Sequence, residues 1–202
     1  MADKTTMKNR LRGILDPVVL LLMRLGVPPM AVTLAGLVLS FAGAFEIARG
    51  AFIPGALFVI VSGLCDTLDG SLARRAGTES VFGAFIDSTI DRISELACFG
   101  ALIVYYASRG EGGRFALPLV IVALGGSFLT SYTRARAEGL GLECRVGLLE
   151  RPERVSLIVL GLLLGAKVLF VVIACLAVLT VVTSLQRILH VRRLTARKGA
   201  PG

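Results

Sequence analysis

Asp66, Asp69, Asp87 and Asp91 are the residues whose type and spacing invite chemistry, standing among long apolar runs in Asp66-Thr-Leu-Asp69-Gly70-Ser-Leu-Ala73-Arg74, followed after a short interval by Gly83, Asp87 and Asp91. Asp66 and Asp69 are three apart and Asp87 and Asp91 four apart, so on helices each pair projects from one face. Carboxylates converging in apolar surroundings repel one another and are costly to desolvate, and cations are the economical way to neutralise them. Every donor in the stretch is an oxygen, and the one histidine, His190, lies on another segment. That favours Mg2+ or Mn2+ over Zn2+. Such a set can hold two ions, the arrangement that clamps both ends of a phosphoryl displacement, and a diphosphate is its natural substrate. Gly70 would let that substrate approach the backbone, Ala73 keeps the same face open, and Arg74 offers a planar donor for phosphate oxygens. Gly83, one turn before Asp87, permits close helix packing or ligand approach.

The elements that must position these residues are apolar helices. The chain has 202 residues, 55% of them apolar, and a mean hydropathy of +0.80, which places it in a membrane rather than in water. An amphipathic interfacial helix is expected over 5–25, with Met7, Leu11, Ile14, Leu15, Val18 and Leu22 on one face. Gly26-Val27-Pro28-Pro29 ends it. Six spanning helices follow, over 31–47, from Pro54 to Arg75, over 81–108, 115–138, 151–166 and 168–193, with Lys167 at a tight turn before the last. The fold expected is therefore an all-α integral membrane protein, six transmembrane helices behind an interfacial one, forming a single domain over 1–202. No cleavable leader is expected, because the first apolar run is short and Arg24 and two prolines follow it. Cys65, Cys98, Cys144 and Cys175 lie far apart and show neither a disulfide framework nor a zinc site.

The net charge of +8 comes from 22 Lys and Arg, gathered at segment ends, where they read as contacts to lipid headgroups or phosphates. Nucleic acid is not the expected partner, since there is no Trp and no basic patch interleaved with aromatics. One set of helix ends carries the basic residues around Arg10, Arg24, Arg74, Arg134, Arg154 and Arg193, while the opposite ends carry only Arg49, Arg109, Arg114 and Lys167. By the positive-inside rule both termini and the carboxylates face the cytoplasm, as in a multi-pass protein of the cell membrane.

The signature Asp-x-x-Asp-Gly-x-x-Ala-Arg, eight residues, Gly-x-x-x-Asp-x-x-x-Asp resembles that of the CDP-alcohol phosphotransferases at every defining position. The resemblance implies a membrane-embedded enzyme, usually a homodimer, that transfers the phosphatidyl group of a CDP-linked lipid to an alcohol and releases CMP. It implies Asp66, Asp69, Asp87 and Asp91 as metal ligands and Asp91 also as the base that deprotonates the acceptor hydroxyl. Gly70, Arg74 and Ser80, together with the turn Pro29, Met30, Ala31 and Val32, would contact the nucleotide.

The acceptor is read from Ser131-Tyr-Thr-Arg134-Ala-Arg136 and Glu150-Arg-Pro-Glu-Arg154. Basic side chains gathered there can compensate a second dianion, pointing to an acceptor that already bears a phosphate. The alternative is that they are interfacial arginines reaching for headgroups. The pattern is similar to that of bacterial phosphatidylinositol-phosphate synthases, which implies Ser131, Arg134, Arg136, Arg154 and Arg193 as acceptor contacts; position 134 is Arg here, where that group commonly has Lys. Asp87-Ser-Thr-Ile-Asp91-Arg also resembles this group more than the Asp-Pro-x-x-Asp-Lys form of phosphatidylglycerol-phosphate synthases. The substrates expected are thus CDP-diacylglycerol and inositol phosphate, with glycerol phosphate as the alternative acceptor. A cation transporter is the rival class, since buried carboxylates also line ion paths. Acidic groups at one set of helix ends, with Gly70 and Arg74 beside them, fit it less well.

Overall fold

The computed structural model describes residues 15–198, apart from the side chains of residues 111, 112, 197 and 198. The expected stretch 5–14 of the first helix lies outside the described residues. Among the described residues every regular element is helical: α1 (15–24), α2 (Pro29–Arg49), α3 (Phe52–Ala76), α4 (Val81–Ala107), a 3-10 turn (Gly110–Gly113), α5 (Ala116–Gly139), α6 (Arg151–Leu164) and α7 (Ala166–Lys198). The chain forms two compact units, Met1–Phe45 with Leu57–Cys98 and Glu46–Ala56 with Phe99–Gly202.

Among the described residues, four helices are long and apolar enough to cross a membrane: α2, α3, α5 and, over Ala166–Ala196, α7. Of the two remaining expected spans, α4 has 27 residues but carries Asp87, Asp91, Arg92 and Glu95, and α6 has 14 residues. Large apolar side chains face outward in both units, with Val38 68% and Val178 61% exposed. Surface of this kind is stable against lipid and a liability in water.

In the first unit, Val19, Val32 and Leu72 form a buried cluster with Leu22, Val27, Cys65 and Leu68 packed on it, joining α1, α2 and α3. Arg75 Nη2 meets Asp16 Oδ1 at 2.7 Å, a second tie between α1 and the end of α3. α2 and α3 approach closely at Gly36, whose carbonyl accepts the Ser62 hydroxyl at 2.8 Å. A Cβ there would lie 3.0 Å from Cys65 Cβ, so only glycine allows this approach.

The turn between α3 and α4 decides how their aspartates face each other. α3 stops at Gly77, whose φ of +63° suits a residue without a Cβ. The Gly77 and Thr78 amides bond back to the carbonyls of Arg74 and Ala73 at 3.4 and 3.0 Å, satisfying the last turn. Three residues later the Ser80 hydroxyl accepts the Gly83 amide at 3.0 Å and caps the start of α4.

In the second unit α7 packs against α5 and α6. Gly126 of α5 faces Thr180, and Gly161 of α6 faces Leu169. The Thr130 hydroxyl bonds to the Thr180 carbonyl and pairs with the Ser184 hydroxyl, each at 3.1 Å, so buried polar groups help to fix how α5 and α7 pack. α6 begins with a reciprocal cap between Glu150 and Glu153, and Pro152 sits in its first turn. It ends at Gly165, with φ +91°. The expected turn at Lys167 is therefore corrected: the reversal falls on Gly165, the residue that tolerates that backbone, and Lys167 belongs to the first turn of α7.

Candidate active site

Asp66 on α3 and Asp87 and Asp91 on α4 each offer a carboxylate oxygen, and these oxygens lie within 4.8 Å of one another. All three residues are half-buried. A tight, all-oxygen, anionic donor set suits a hard divalent cation. The helical spacing explains the convergence: Asp87 and Asp91 are one turn apart on α4, and the short turn at Gly77 brings α3 and α4 back antiparallel.

Asp69 is placed differently. It is the most buried of the four, 5% exposed, and is not one of the three whose oxygens converge. Its Oδ2 accepts a hydrogen bond from the Thr33 hydroxyl of α2 at 2.5 Å. The charges of Asp87 and Asp66 both act on it, so it borders the cluster. Thr33 was not among the residues singled out from sequence; a hydroxyl in an apolar helix has no distinctive spacing to betray it.

The Arg74 guanidinium folds back over Gly70, where a Cβ would sit 3.3 Å from Nη1, and its Nη2 donates to the Ser71 hydroxyl at 3.2 Å. Gly70 thereby keeps room for this side chain. Ser80 is the helix cap described above. Pro29, Met30, Ala31 and Val32, expected as a turn, form the first turn of α2 instead. Proline is well suited to the first helical position, where its missing amide proton is not needed. Arg92, next to Asp91, reaches the Ser88 carbonyl at 2.6 Å and lies 3.7 Å from Asp91 Oδ2, and Glu95 is buried one turn beyond.

The basic residues form their own arrangement in the second unit. Arg154, 1% exposed, donates from Nη2 to the Ser131 hydroxyl at 3.4 Å. Arg134 pairs with Glu138 Oε1 at 2.9 Å and approaches Glu150 Oε1 at 3.9 Å. Arg136 and Arg193 are exposed. Arg187, read from sequence only as one more basic residue, is 2% exposed. It donates from Nε to the Val146 carbonyl at 2.9 Å and from Nη1 to the Thr130 carbonyl, pinning the 140–150 connection to α5 and α7. Its signal was its place one turn beyond Thr183-Ser184, on the polar side of an otherwise apolar helix.

With this geometry, the sequence matches the CDP-alcohol phosphatidyltransferase family over residues 26–184, and the chain belongs to that family. Among its relatives, the archaetidylinositol phosphate synthase of Methanothermobacter thermautotrophicus is 37% identical over 90% of this chain and 90% of its own length. The phosphatidylinositol phosphate synthase of Streptomyces avermitilis is also 37% identical, over 93% of this chain and 81% of its own. The crystal structure of Mycobacterium tuberculosis phosphatidylinositol phosphate synthase with CDP-DAG bound superposes with a TM-score of 0.79 at 35% identity, covering 87% of this chain and 92% of that one. The same enzyme in complex with manganese and citrate gives 0.80 at 35% identity, covering 87% of each chain. Membership makes the protein a multi-pass membrane transferase.

Proposed function

We propose that the protein transfers the phosphatidyl group of CDP-diacylglycerol to a hydroxyl of inositol phosphate, giving phosphatidylinositol phosphate and CMP. The observation that carries this reading is the convergence of Asp66, Asp87 and Asp91 within 4.8 Å, inside the region that matches the family. Relatives named archaetidylinositol phosphate synthase and phosphatidylinositol phosphate synthase, each at 37% identity, support the acceptor.

Asp66, Asp69, Asp87 and Asp91 would hold two Mg2+ or Mn2+ ions. When bound, these ions supply positive charge against the diphosphate and its departing half. Asp91 takes the proton of the acceptor hydroxyl as that oxygen bonds to the lipid-side phosphorus. The bond from that phosphorus to the oxygen bridging toward cytidine breaks, and CMP leaves with the electron pair. Gly70, Arg74 and Ser80 with Pro29, Met30, Ala31 and Val32 bind the nucleotide end of the donor. Ser131, Arg134, Arg136, Arg154 and Arg193 bind the acceptor phosphate; Arg154, which donates to the Ser131 hydroxyl, is the most buried of them.

The proposal includes a single family domain and a homodimer, with helices α2–α7 all spanning and α1 lying in the interface. At 1.5 Å per residue, α4 exceeds a hydrocarbon core of roughly 30 Å, and α6 falls short of it, which local thinning of the bilayer accommodates. The charge distribution supports cytoplasmic termini and a cytoplasmic carboxylate cluster.

The test is CMP release from CDP-diacylglycerol by the purified protein with inositol phosphate, glycerol phosphate, inositol, serine and glycerol offered in turn. Release with inositol phosphate alone is expected. Preference for glycerol phosphate would replace the acceptor reading, and cation flux in vesicles without CMP release from any acceptor would replace the reaction.

A further inference from the structure

Asp69 belongs to the signature yet stands apart from the other three carboxylates, held by a side chain from another helix. Thr33 lies one turn after Pro29 on α2, and its hydroxyl has two acceptors in reach: the Pro29 carbonyl at 3.2 Å and Asp69 Oδ2 at 2.5 Å. A hydroxyl carries one proton. The shorter contact, to a carboxylate, is the charge-assisted and stronger one, so the proton goes to Asp69 rather than back to the helix, as it would in a threonine serving only its own turn. The contact crosses from α2 to α3 within one unit, beside the buried cluster of Val19, Val32 and Leu72.

We infer that Thr33 is a positioning residue for Asp69: by engaging Oδ2 it stops the carboxylate from turning and leaves Oδ1 as the oxygen for a divalent cation. The inference rests on the metal reading of the cluster given above. Groups that hydrogen-bond a metal ligand tune its affinity, and losing one typically lowers metal affinity about 10–100-fold. Because Thr33 follows directly on the turn Pro29–Val32, it also ties the proposed nucleotide-binding end of α2 to the side chain that prepares the ion site.

The experiment measures Mn2+ binding to the full-length purified protein by the paramagnetic resonance signal of free Mn2+, without substrate. The proteins compared are the unaltered protein, Thr33→Val, Thr33→Ser, Asp69→Asn and the double variant Thr33→Val/Asp69→Asn. Thr33→Val keeps the shape and removes the donor, and is expected to weaken binding about 10–100-fold. Thr33→Ser keeps the donor and is expected to stay within a few-fold of the unaltered protein. In the Asp69→Asn background the valine should add nothing, since Thr33 acts through Asp69. Unchanged affinity in Thr33→Val, or full additivity in the double variant, would overturn the inference while leaving the metal reading intact. Absence of Mn2+ binding by the unaltered protein would overturn both. Should Thr33→Val not fold, the serine decides: Thr33→Ser keeps the donor, and a loss of Mn2+ affinity of about 10-fold or more with it would make Thr33 a packing residue and nothing more.

Discussion

At the scale of single residues, what distinguishes the four aspartates is their surroundings rather than their chemistry. Asp66, Asp87 and Asp91 share one small volume, so their mutual repulsion is relieved whenever a divalent cation sits among them. The role proposed for Asp91 adds the duty of accepting a proton, which an amide cannot perform. Asp91→Asn is therefore expected to lower CMP release at least ~100-fold while the purified variant still binds Mn2+; release near the unaltered rate would remove Asp91 from the role of base. Gly70 makes a separate prediction. A methyl at this position meets only the end of the flexible Arg74 side chain, at 3.3 Å, so Gly70→Ala should fold normally but move the guanidinium. A raised KM for CDP-diacylglycerol with an unchanged melting temperature is the expected result, and an unchanged KM would show that the Arg74 position does not bear on donor binding.

At the scale of elements, glycines and hydroxyls set the geometry. Gly77 ends α3 at φ +63° with no atom near enough to obstruct a Cβ, so Gly77→Ala isolates the conformational effect. A loss of about 1–2 kcal/mol of stability is expected, read as a lowered unfolding midpoint, and no loss would mean that the turn rearranges freely. Gly126→Ala brings its methyl into the side chain of Thr180, where overpacking costs about 1–3 kcal/mol. Adding Thr180→Ala should recover part of this, and a double variant less stable than the single one would contradict the packing described. Much at this scale was legible in the sequence. Apolar runs mark the helices, and the spacing of Asp87 and Asp91 places them on one face. Less legible were features that depend on a partner. Prolines Pro28 and Pro29 read as a turn, yet Pro29 starts a helix, because the first helical position is the one where proline fits. The reversal before the last helix was expected at Lys167, and only the backbone shows that Gly165 takes the positive φ. The Thr33 contact to Asp69 and the buried seat of Arg187 arise from packing between helices, which no local spacing records.

At the scale of the whole molecule, a chain with outward-facing apolar helices and charges gathered at helix ends is built for lipid. The orientation proposed for it predicts that Thr78→Cys, in a cysteine-free background and sealed vesicles, reacts with an impermeant thiol reagent from the cytoplasmic side only, and Ser108→Cys from the opposite side only. Labelling of both from one side would contradict the arrangement of spans. The relatives act on different lipids, as their archaetidyl and phosphatidyl names record, and share inositol phosphate in those names. This supports the acceptor more firmly than the lipid tails. The most direct test of the account is CMP release from CDP-diacylglycerol, with inositol phosphate present, before and after divalent ions are chelated and then restored. Release should fall to background in chelator and return with Mg2+ or Mn2+ in the unaltered protein, but not in Asp87→Asn; release that continues undiminished in chelator would contradict it.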